Sequence, residues 1–565
     1  MAENWMCDYN DLIYDEACVN IKKNSQLPSA WLYSLSSDCD ACPFTRIGPI
    51  TNSPNQSIKF QTDASLTWRI RSSGDEEYIS ARNSSDVLCE VEPNLHQFGA
   101  YELDIGNETC DVRTLKDPSS LYIPLCVVAA ALICVLGGCS LLRIGMTRLR
   151  KKLRDEDING DVQQQQQRHS IKLPAAKRRV KCIDTFRGIS ILLMIFVNDG
   201  AGGFRVLQHA TWDGLLVADL VFPWFMWIMG VCLPISLGSQ LSRNISRFSI
   251  CKGIVKRSVM LFLIGISLNT LGTIPQLESI RIFGVLQRFS LVYLIVALAL
   301  VSFSRRKRIE PKNQYFKAIS DILALLPQWV WISGIVAAHF LITFHLPVPG
   351  CPTGYLGPGG RHEDGKYFEC AGGAAGYVDR KLLGVEHIFQ RPAVDSVYGS
   401  GPFDPEGILG CLSSIFQVFL GVQAGMVLRY YKSCKSRVCR WLIWGGICGC
   451  VGLALHFSGS IPINKSLWSM SYVLVTTSLA LFLFTVCYVI VDVTKIWRGG
   501  PFRIPGMNAL AMYVGHELCF QIFPFHWRYG LMGSHTWVLV EALWGTALWT
   551  LIAYILHWKR IYVSL

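Results

Sequence analysis

The sequence lacks the short motifs that mark several enzyme classes. It contains no Walker A string, which excludes a P-loop cradling the phosphates of a nucleotide. The CxxC formed by Cys39 and Cys42 is followed by no second CxxC and no His pair at zinc spacing, and no other metal-ligand cluster stands out. The sequence therefore predicts no bound metal, and it favours a disulfide over a zinc or redox role for this cysteine pair.

A hydrophobic stretch is also missing at the start of the sequence. The first 30 residues hold no apolar run long enough for the hydrophobic region of a secretory signal peptide. Two explanations stay open at this point. Either the precursor begins upstream of this sequence, or the first membrane helix carries the N-terminal region across the bilayer.

Long apolar runs are abundant elsewhere. Of the 565 residues, 51% are hydrophobic and 17 are Trp, and the mean hydropathy is positive. Together with repeated apolar runs of membrane length, this composition predicts a polytopic protein of the lipid bilayer. The formal net charge of +12 does not indicate a nucleic-acid partner, because Lys and Arg cluster in a few segments between the apolar runs. That distribution is typical of the positive-inside rule.

Residues 1–120 are polar, and alternating pieces such as SIKFQTD and SLTWRIRSS predict strands bounded by turn residues. We predict a small β-rich lumenal domain here. Its cysteines suit an oxidising lumen, although their pairing stays open: Cys7, Cys18, Cys39, Cys42, Cys89 and Cys110. Three sequons predict N-glycosylation, at Asn55, Asn83 and Asn107.

The first membrane helix is predicted at residues 121–142. It is followed by a dense basic block, RIGMTRLRKKLR, so the positive-inside rule places residues 1–120 in the lumen and the block in the cytosol. Residues 143–182 are rich in Lys, Arg and Gln and poor in apolar residues, which predicts a disordered cytosolic linker. A solvated charged tether is favoured over a lipid-binding patch.

Residues 183–565 predict a ten-helix transmembrane domain. Its apolar segments are 184–200, 215–238, 256–274, 283–303, 320–344, 406–428, 440–457, 468–491, 504–523 and 536–557. With eleven spans in all, every basic loop falls on one side of the membrane, and the C-terminus is cytosolic. The predicted fold is therefore mainly α, with about 11 transmembrane helices and a β-rich N-terminal domain.

One loop of this domain, residues 345–405, is long and rich in Gly and Pro. Cys351 and Cys370 are its only cysteines and face the oxidising side in this topology, so we predict that they pair. Long loops in compact proteins are often lids or binding loops. A structural cap over the lumenal mouth is the alternative.

Four polar side chains between residues 183 and 230 indicate a candidate functional site. Arg187, Asn198 and Asp219 lie within or at the ends of apolar helices, and His209 lies on the loop between them. Polar groups in the bilayer are costly and commonly functional. The alternative is a polar clamp between helices. Imidazole is the natural acid, base or nucleophile near neutral pH.

Several long strings in the sequence identify a family. The strings are DTFRG, NDGAGGF, QHATWDGLLVADLVFPWF, PGCPTGYLGPGG and CAGGAAGYVDR. They resemble the lysosomal heparan-α-glucosaminide N-acetyltransferase family, from about residue 183 to the C-terminus. The resemblance implies a multi-pass enzyme of the lysosomal membrane. Such an enzyme moves acetyl from cytosolic acetyl-CoA to the terminal non-reducing glucosamine of heparan sulfate in the lumen.

Chemical roles follow for the polar residues of this segment. Neutral His209 suits the base that deprotonates the glucosamine, and acetylation of His209 as a carrier is the alternative. The amide of Asn198 is a candidate donor to the negative charge that develops on the thioester oxygen. Asp219 is a candidate to orient the imidazole. The sequence does not decide between the two routes.

The predicted acetyl-CoA contacts are Arg187, Arg288, Lys256, Arg257, Asn508 and His516. Arginine suits bidentate phosphate contacts, and Arg281, seven residues before Arg288, lies on the same helical face. Pairing of these arginines with Asp184, Asp219 or Glu406 is the structural alternative. His516, with Glu517 beside it, is the second-ranked catalytic centre, and we place its helix in the pocket wall.

Two other functions stay open. A transporter of a small organic anion or sugar would also carry polar groups inside the membrane, although its site should lie at the midplane between repeats. A receptor that binds glycans through residues 1–120 would leave those polar groups unexplained. The sequence leaves the oligomeric state open, with a homodimer as one alternative.

Overall fold

A computed structural model describes residues 7, 11–23, 29–51, 56–83, 85–106, 109–158, 179–271, 276–303 and 314–563. The N-terminal part is β-rich, as predicted, and the rest is helical. The strands are β1 (Glu16–Lys23), β2 (Ala30–Ser36), β3 (Phe44–Ile50), β4 (Ser57–Gln61), β5 (Leu66–Arg71), β6 (Tyr78–Ile79), β7 (Val87–Val91), β8 (Ala100–Ile105) and β9 (Cys110–Lys116).

The strands form two sheets that share one core. One sheet has the order β4-β1-β8-β9 and the other has the order β6-β3-β2-β5-β7. Most neighbours are antiparallel, whereas β1 and β8 are parallel. Alternating apolar side chains of both sheets, such as Val19, Leu32 and Trp68, are buried against one another.

Disulfides tie the N-terminal strands and one later loop. The six N-terminal cysteines pair as Cys7–Cys18, Cys39–Cys42 and Cys89–Cys110. The predicted pair Cys351–Cys370 forms a fourth bridge, with its Cα atoms 5.7 Å apart. Of the predicted glycosylation sites, Asn83 is exposed, while Asn55 and Asn107 lie outside the described residues.

The helices are α1 (Ile123–Ile158), α2 (Lys181–Asn198), α3 (Val221–Ser242), α4 (Arg247–Asn269), α5 (Val285–Phe303), α6 (Gln314–Ala318), α7 (Ser320–Leu323), α8 (Leu326–His345), α9 (Ala374–Leu383), α10 (Ala393–Tyr398), α11 (Ile408–Tyr430), α12 (Cys434–Phe457), α13 (Met470–Cys487), α14 (Arg503–Met507), α15 (Ala509–Leu518) and α16 (His535–Trp558). A π-helical turn, Tyr488–Val493, extends α13.

Seven helices in the described part of the chain are long and apolar enough to cross a membrane. They are Val217–Ser242, Val285–Phe303, Leu326–His345, Ile408–Tyr430, Cys434–Phe457, Met470–Val493 and His535–Trp558. Each corresponds to one predicted span. The count of eleven is therefore not confirmed by helix length and composition.

The four other predicted spans do not meet this criterion of helix length and apolar composition, each for a reason that the structure shows. The spans at 184–200 and 256–274 form α2 and α4, which carry several charged side chains. The span at 504–523 is broken at Asn508 into α14 and α15. The first span is α1, whose apolar stretch is Ile123–Val135.

The predicted disordered linker, 143–182, begins and ends differently in the structure. Helix α1 continues to Ile158, and α2 begins at Lys181. Leu, Met, Lys and Arg of the basic block are good helix formers, so the block continues helix α1. Residues 159–178 of the predicted linker lie outside the described residues.

Helix α11 lies at the centre of the helical domain and positions its neighbours. In the apolar stretch of α11, 89% of the residues are buried, and the helix packs closely against α3. A Cβ atom on Gly421 would overlap the carbonyl of Trp227, and one on Gly230 would overlap that of Val418. Small residues at this crossing allow the two backbones to approach, as is common between membrane helices.

Candidate active site

The loop between α2 and α3 turns sharply at its start. Gly200 and Gly202 have φ values of +92° and +77°, a left-handed conformation that glycine adopts readily. The loop continues through two short 3-10 turns, Ala201–Gly203 and Arg205–Leu207, and then reaches His209. This path brings His209 back to the start of the third helical segment, where Asp219 lies.

Asp219 is the anchor of this loop. Its side chain is fully buried, and its Oδ2 accepts hydrogen bonds from the backbone N–H groups of Ala210 at 3.1 Å and Leu216 at 3.0 Å. The Oδ1 lies 2.7 Å from Nδ1 of His209. The hydroxyl of Tyr472 donates to the Asp219 carbonyl at 2.6 Å. The structure therefore brings together the predicted pair His209 and Asp219, with the loop backbone fixed around them.

A third side chain completes this arrangement, and sequence reasoning missed it. The Nζ of Lys465 lies 3.0 Å from Nδ1 and 3.2 Å from Nε2 of His209, and 3.9 Å from Oδ1 of Asp219. A lone lysine in a short loop carries no motif. The available signal was its position in a loop assigned to the same side of the membrane as His209.

The loop that carries Lys465 is fastened to the His209 loop. The buried amide of Asn464 donates to the Oδ1 of Asp213 at 3.2 Å, and its Oδ1 accepts from the N–H of Leu467 at 2.8 Å. The N–H of Gly214 donates to the Ile463 carbonyl at 2.9 Å. These bonds hold the ammonium of Lys465 beside the imidazole.

Electrostatics favour the neutral form of His209. Burial and the adjacent Lys465 ammonium lower the pKa of His209 from its ordinary value, against the raising effect of Asp219. Burial likewise lowers the pKa of Lys465, while the carboxylates of Asp219 and Glu406 oppose that shift. His209 therefore keeps a free nitrogen lone pair at lower pH than an ordinary histidine does.

A long cavity of about 1190 Å³ reaches His209 from between the helices, and we call it the long cavity. Arg187, Ile191, Met194 and Asn198 line it at helical spacing, so one face of α2 forms a wall. Since Arg179 lines it before α2 begins, it follows the whole helix, roughly 27 Å at 1.5 Å per residue. Phe225 of α3, Phe289 of α5 and Tyr513 of α15 add apolar surface.

The end of the long cavity away from His209 is basic. It is lined there by Arg179, Lys256 and Arg257, together with Tyr562. Arg179 is held by both oxygens of Asp184, at 2.7 and 2.8 Å. Lys256 and Arg257 have no carboxylate partner within the part of the chain that the structure describes. Two cations are thus left to attract an anion.

Arg187 lies further along the same wall. Its Nη1 donates to the Gly506 carbonyl at 3.2 Å, and its Nη2 lies 3.2 Å from the sulfur of Cys232. The nearest oxygen of Asp184 is 4.0 Å away. The guanidinium therefore faces the cavity with its charge only partly compensated.

Asn198 and His516 contact each other near the His209 end. The Nδ2 of Asn198 donates to Nε2 of His516 at 3.0 Å, because Nδ1–H of His516 donates to the Tyr513 carbonyl at 2.7 Å. Asn198 lines the long cavity, whereas His516 is buried behind it. Both nitrogens of His516 are thus occupied, which suits a residue that supports the wall.

A second cavity of about 450 Å³ lies on the other side of His209, and we call it the loop cavity. Carboxylates are prominent in its lining, which includes Asp38, Asp40 and Asp213. Arg205, His362 and Tyr398 add further polar groups, and Trp212 adds an aromatic face. Its chemistry suits a polar ligand with a positive charge and hydroxyl groups.

His209 is the residue that the two cavities have in common among the described residues. Its side chain is 43% exposed, and that exposed surface faces the two cavities. Ligands bound in the two cavities would therefore meet at this imidazole, and a group transferred between them would pass beside it.

The N-terminal region forms part of the loop cavity. Asp38 pairs with Arg205, and Nδ1–H of His362 donates to the Asp40 carbonyl at 2.7 Å. Near the start of the His209 loop, His535 lies between the carbonyl of Gly202, at 2.7 Å, and the carboxylate of Asp15, at 3.1 Å. The β-rich region thus contacts the His209 loop through several polar bonds.

Some predicted contact residues lie elsewhere. Arg288 is fully buried outside both cavities, and its Nη2 donates to the carbonyls of Pro405 and Gly407. Arg281 pairs with Glu406 at 2.6 Å, one of the partners considered in the sequence analysis, and also with Asp404 at 2.7 Å.

Asn508 caps the break between α14 and α15. Its Nδ2 donates to the Ile561 carbonyl at 2.9 Å, and its Oδ1 accepts from the N–H of Val563. These bonds tie the C-terminal segment near the basic end of the long cavity. Its immediate neighbours Met507 and Ala509 line that cavity.

No group of three or more His, Cys, Asp or Glu side chains in the described residues is arranged to hold a metal ion.

The chain is similar to a family profile and to proteins of known name. A family profile described as "Heparan-alpha-glucosaminide N-acetyltransferase, catalytic" matches residues 179–309, which include His209 and most of the wall of the long cavity. Heparan-alpha-glucosaminide N-acetyltransferase from Homo sapiens is 37% identical, with 98% of this chain and 88% of that protein covered. The protein of the same name from Mus musculus is 34% identical, with 98% and 89% covered.

Proposed function

Because the chain belongs to the heparan-α-glucosaminide N-acetyltransferase family and is an acyltransferase, we propose that its two substrates reach His209 from opposite cavities. Acetyl-CoA occupies the long cavity and the terminal glucosamine of heparan sulfate occupies the loop cavity. The observation that carries this proposal is that His209 lines both cavities.

The long cavity fits acetyl-CoA in length, polarity and charge. Its basic end, with Lys256 and Arg257, suits the phosphates of CoA, and its apolar middle suits the pantetheine arm. Arg187 lies between these two parts. In this arrangement the thioester lies near Asn198 and His209, where the cavity ends.

The loop cavity fits an amino sugar. Carboxylates at Asp40 and Asp213 attract the ammonium form of glucosamine. Together with Asp38, which Arg205 neutralises, they accept hydrogen bonds from sugar hydroxyls. Trp212 offers a flat apolar face of the kind that carbohydrate rings stack on. The N-terminal region contributes two of these carboxylates, so it takes part in acceptor binding.

The transfer follows from these positions. The bound ammonium first loses one proton to water in the loop cavity. The nitrogen of the neutral amine then attacks the thioester carbonyl, and Nε2 of His209 takes a second N–H proton as the bond forms. A C–N bond forms, the C–S bond breaks, and the CoA sulfur leaves with the proton that His209 had taken. Asp219 holds the imidazole by its Nδ1–H. The free N–H of the Asn198 amide donates to the oxyanion, since its other N–H is directed at His516.

We favour a ternary complex over an acetyl-histidine carrier, because the two cavities can be filled at the same time. The two routes differ before any amine is added. A ternary route predicts no release of CoA from acetyl-CoA alone, whereas a carrier route predicts one equivalent of CoA and label retained on the protein.

The proposal also includes an orientation in the lysosomal membrane. Eleven spans, with the N-terminal region in the lumen and the C-terminus in the cytosol, put the basic end of the long cavity at the cytosolic surface. The disulfide-rich N-terminal region and the Cys351–Cys370 loop then lie together in the oxidising lumen. The charge distribution of the loops supports this orientation.

Sealed proteoliposomes test the function. Labelled acetyl-CoA is supplied outside and glucosamine is trapped inside vesicles carrying the purified full chain. We expect labelled N-acetylglucosamine inside and free CoA outside. When both substrates are supplied only outside, we expect no product. Product in that same-side arm would contradict the use of opposite faces.

The same vesicles test the transporter alternative. A transporter would accumulate unmodified label inside vesicles that hold no glucosamine. Vesicles carrying the His209→Ala variant serve as the matched control for both readouts.

A further inference from the structure

The imidazole of His209 has two charged neighbours of opposite sign. Asp219 touches Nδ1 at 2.7 Å, and the ammonium of Lys465 lies 3.0 and 3.2 Å from the two ring nitrogens. An atom nearly equidistant from both nitrogens lies beside the ring and not along one nitrogen lone pair. The Nε2 lone pair is therefore left to face a substrate, while the positive charge acts on the whole ring.

A carboxylate alone would work against a base in this position. An adjacent negative charge stabilises imidazolium, so a His–Asp pair without a cation would be protonated in an acidic compartment. Protonated imidazole cannot accept the proton of the amine. A cation within hydrogen-bond distance reverses this balance, because it makes a second positive charge on the ring unfavourable.

We propose that Lys465 is a positioning residue that keeps the ring of His209 neutral, and so preserves the base in an acidic lumen. This inference rests on the proposed function of His209 as the base. Lys465 does not transfer a proton itself in this scheme. Its charge, which the partly buried loop holds in place, adds to the effect of burial in disfavouring the protonated form of the ring.

Other charged groups also face His209, and they set the background for this effect. They are Asp219, which is bonded to Nδ1 of the ring, and Glu406, which lines the long cavity and pairs with Arg281. Around the loop cavity they are Asp38, Asp40, Asp213, Arg205 and His362. Asp38 is neutralised by Arg205. Lys465 is the cation in contact with the ring, so its removal leaves a net negative surrounding.

The test compares Lys465→Met with Lys465→Arg in the purified full chain. The pH profile of kcat/KM for glucosamine is measured with acetyl-CoA saturating. For Lys465→Met we expect the acid limb to move to higher pH by about one unit, which is about a tenfold loss at the acid end. At higher pH its activity should approach that of the wild type. Lys465→Arg, which keeps the charge, should keep the wild-type limb.

A uniform loss at every pH, with the acid limb unmoved, would overturn the inference and assign Lys465 a structural role. The failure of the proposed function is distinguishable from this result. If His209→Ala keeps activity, His209 is not the base. If His209→Ala is inactive while the Lys465→Met profile is unshifted, only the role of Lys465 is wrong.

A second measurement does not depend on the variant folding. Diethyl pyrocarbonate acylates a histidine only when its imidazole is neutral, and the rate of modification at His209 in the wild-type protein can be followed by peptide mass spectrometry across pH. N-acetylhistidine in the same solution is the reference. We expect His209 to stay reactive at lower pH than this reference. Loss of reactivity at the same or a higher pH would contradict the inference.

Discussion

The Oδ1 of Asp219 lies 2.7 Å from Nδ1 of His209, while its Oδ2 holds the backbone of the same loop at Ala210 and Leu216. One carboxylate therefore fixes both the ring and the chain that carries it. The tautomer follows from this contact, because Nδ1–H donates to Asp219 and Nε2 keeps its lone pair.

Asp219→Asn is expected to lower turnover by about 10²–10⁴-fold. An amide can favour the tautomer of His209 that carries its proton on Nε2, and its NH2 group repels the N–H donors that the carboxylate accepted. It should also destabilise the protein by about 1–3 kcal/mol through an unsatisfied buried group. Turnover and the midpoint of thermal unfolding check these two effects separately.

Asp321→Asn provides the matched control for this variant. Asp321 is equally buried and accepts hydrogen bonds from Gln423 and Tyr431, outside both cavities. Its amide variant should lose stability while turnover is kept. Equal loss of turnover in the two variants would contradict a specific role for Asp219.

His209→Ala is expected to fold, to bind acetyl-CoA nearly as the wild type does, and to lose about 10²–10⁴-fold in turnover. Equilibrium binding of labelled acetyl-CoA and single-turnover transfer measure these effects. His516→Ala is the comparison, since His516 supports the wall through Asn198. Near-normal transfer by His209→Ala, with transfer abolished in His516→Ala despite intact CoA binding, would reverse the assignment.

Lys256→Ala and Arg257→Ala are expected to raise KM for acetyl-CoA by about tenfold each with kcat little changed, since a charge-assisted phosphate contact contributes roughly 1.5–3 kcal/mol. Lys252→Ala is the control, because Lys252 lies on the same helix and does not line the long cavity. Acetyl-CoA without its 3′-phosphate should erase the difference between these variants and the wild type. A difference that persists with that analogue would place the contact at another phosphate.

Glycan attachment is expected at Asn83 and not at Asn464, although both have a complete sequon. Asn83 is exposed, whereas Asn464 is fully buried and its amide nitrogen donates to Asp213. Asn244 should also stay unmodified, because its loop is cytosolic in the proposed orientation. Glycopeptide mapping checks all three, and a glycan on Asn244 would contradict the eleven-span topology.

The sequence predicted contacts that are close along the chain better than distant ones. Ten residues separate His209 from Asp219, so a loop entering a helix was enough to suggest their contact. Lys465 lies 256 residues from His209, and no local pattern connects them. The pairing of Asn198 with His516 spans 318 residues and likewise depends on how the helices pack.

The roles of polar residues within the apolar segments were also hard to predict from the sequence. The guanidinium of Arg288 donates hydrogen bonds to two backbone carbonyls, and backbone partners of this kind cannot be predicted from the residue types in the sequence. Asn508 caps a helix break that hydropathy averaged into one continuous span. The β-rich N-terminal region was predictable because its alternation of apolar and polar residues is local.

His209 lines both cavities, and the proposed orientation puts the basic end of the long cavity on the cytosolic side and the loop cavity on the lumenal side. In that orientation a single side chain, held by Asp219 and Lys465, would stand in the permeability barrier of the membrane. The chemistry of transfer and the retention of the proton gradient then depend on the same few atoms. An enzyme built this way must keep its catalytic residue ordered between turnovers, because a mobile imidazole would let ions leak as well as slow the reaction.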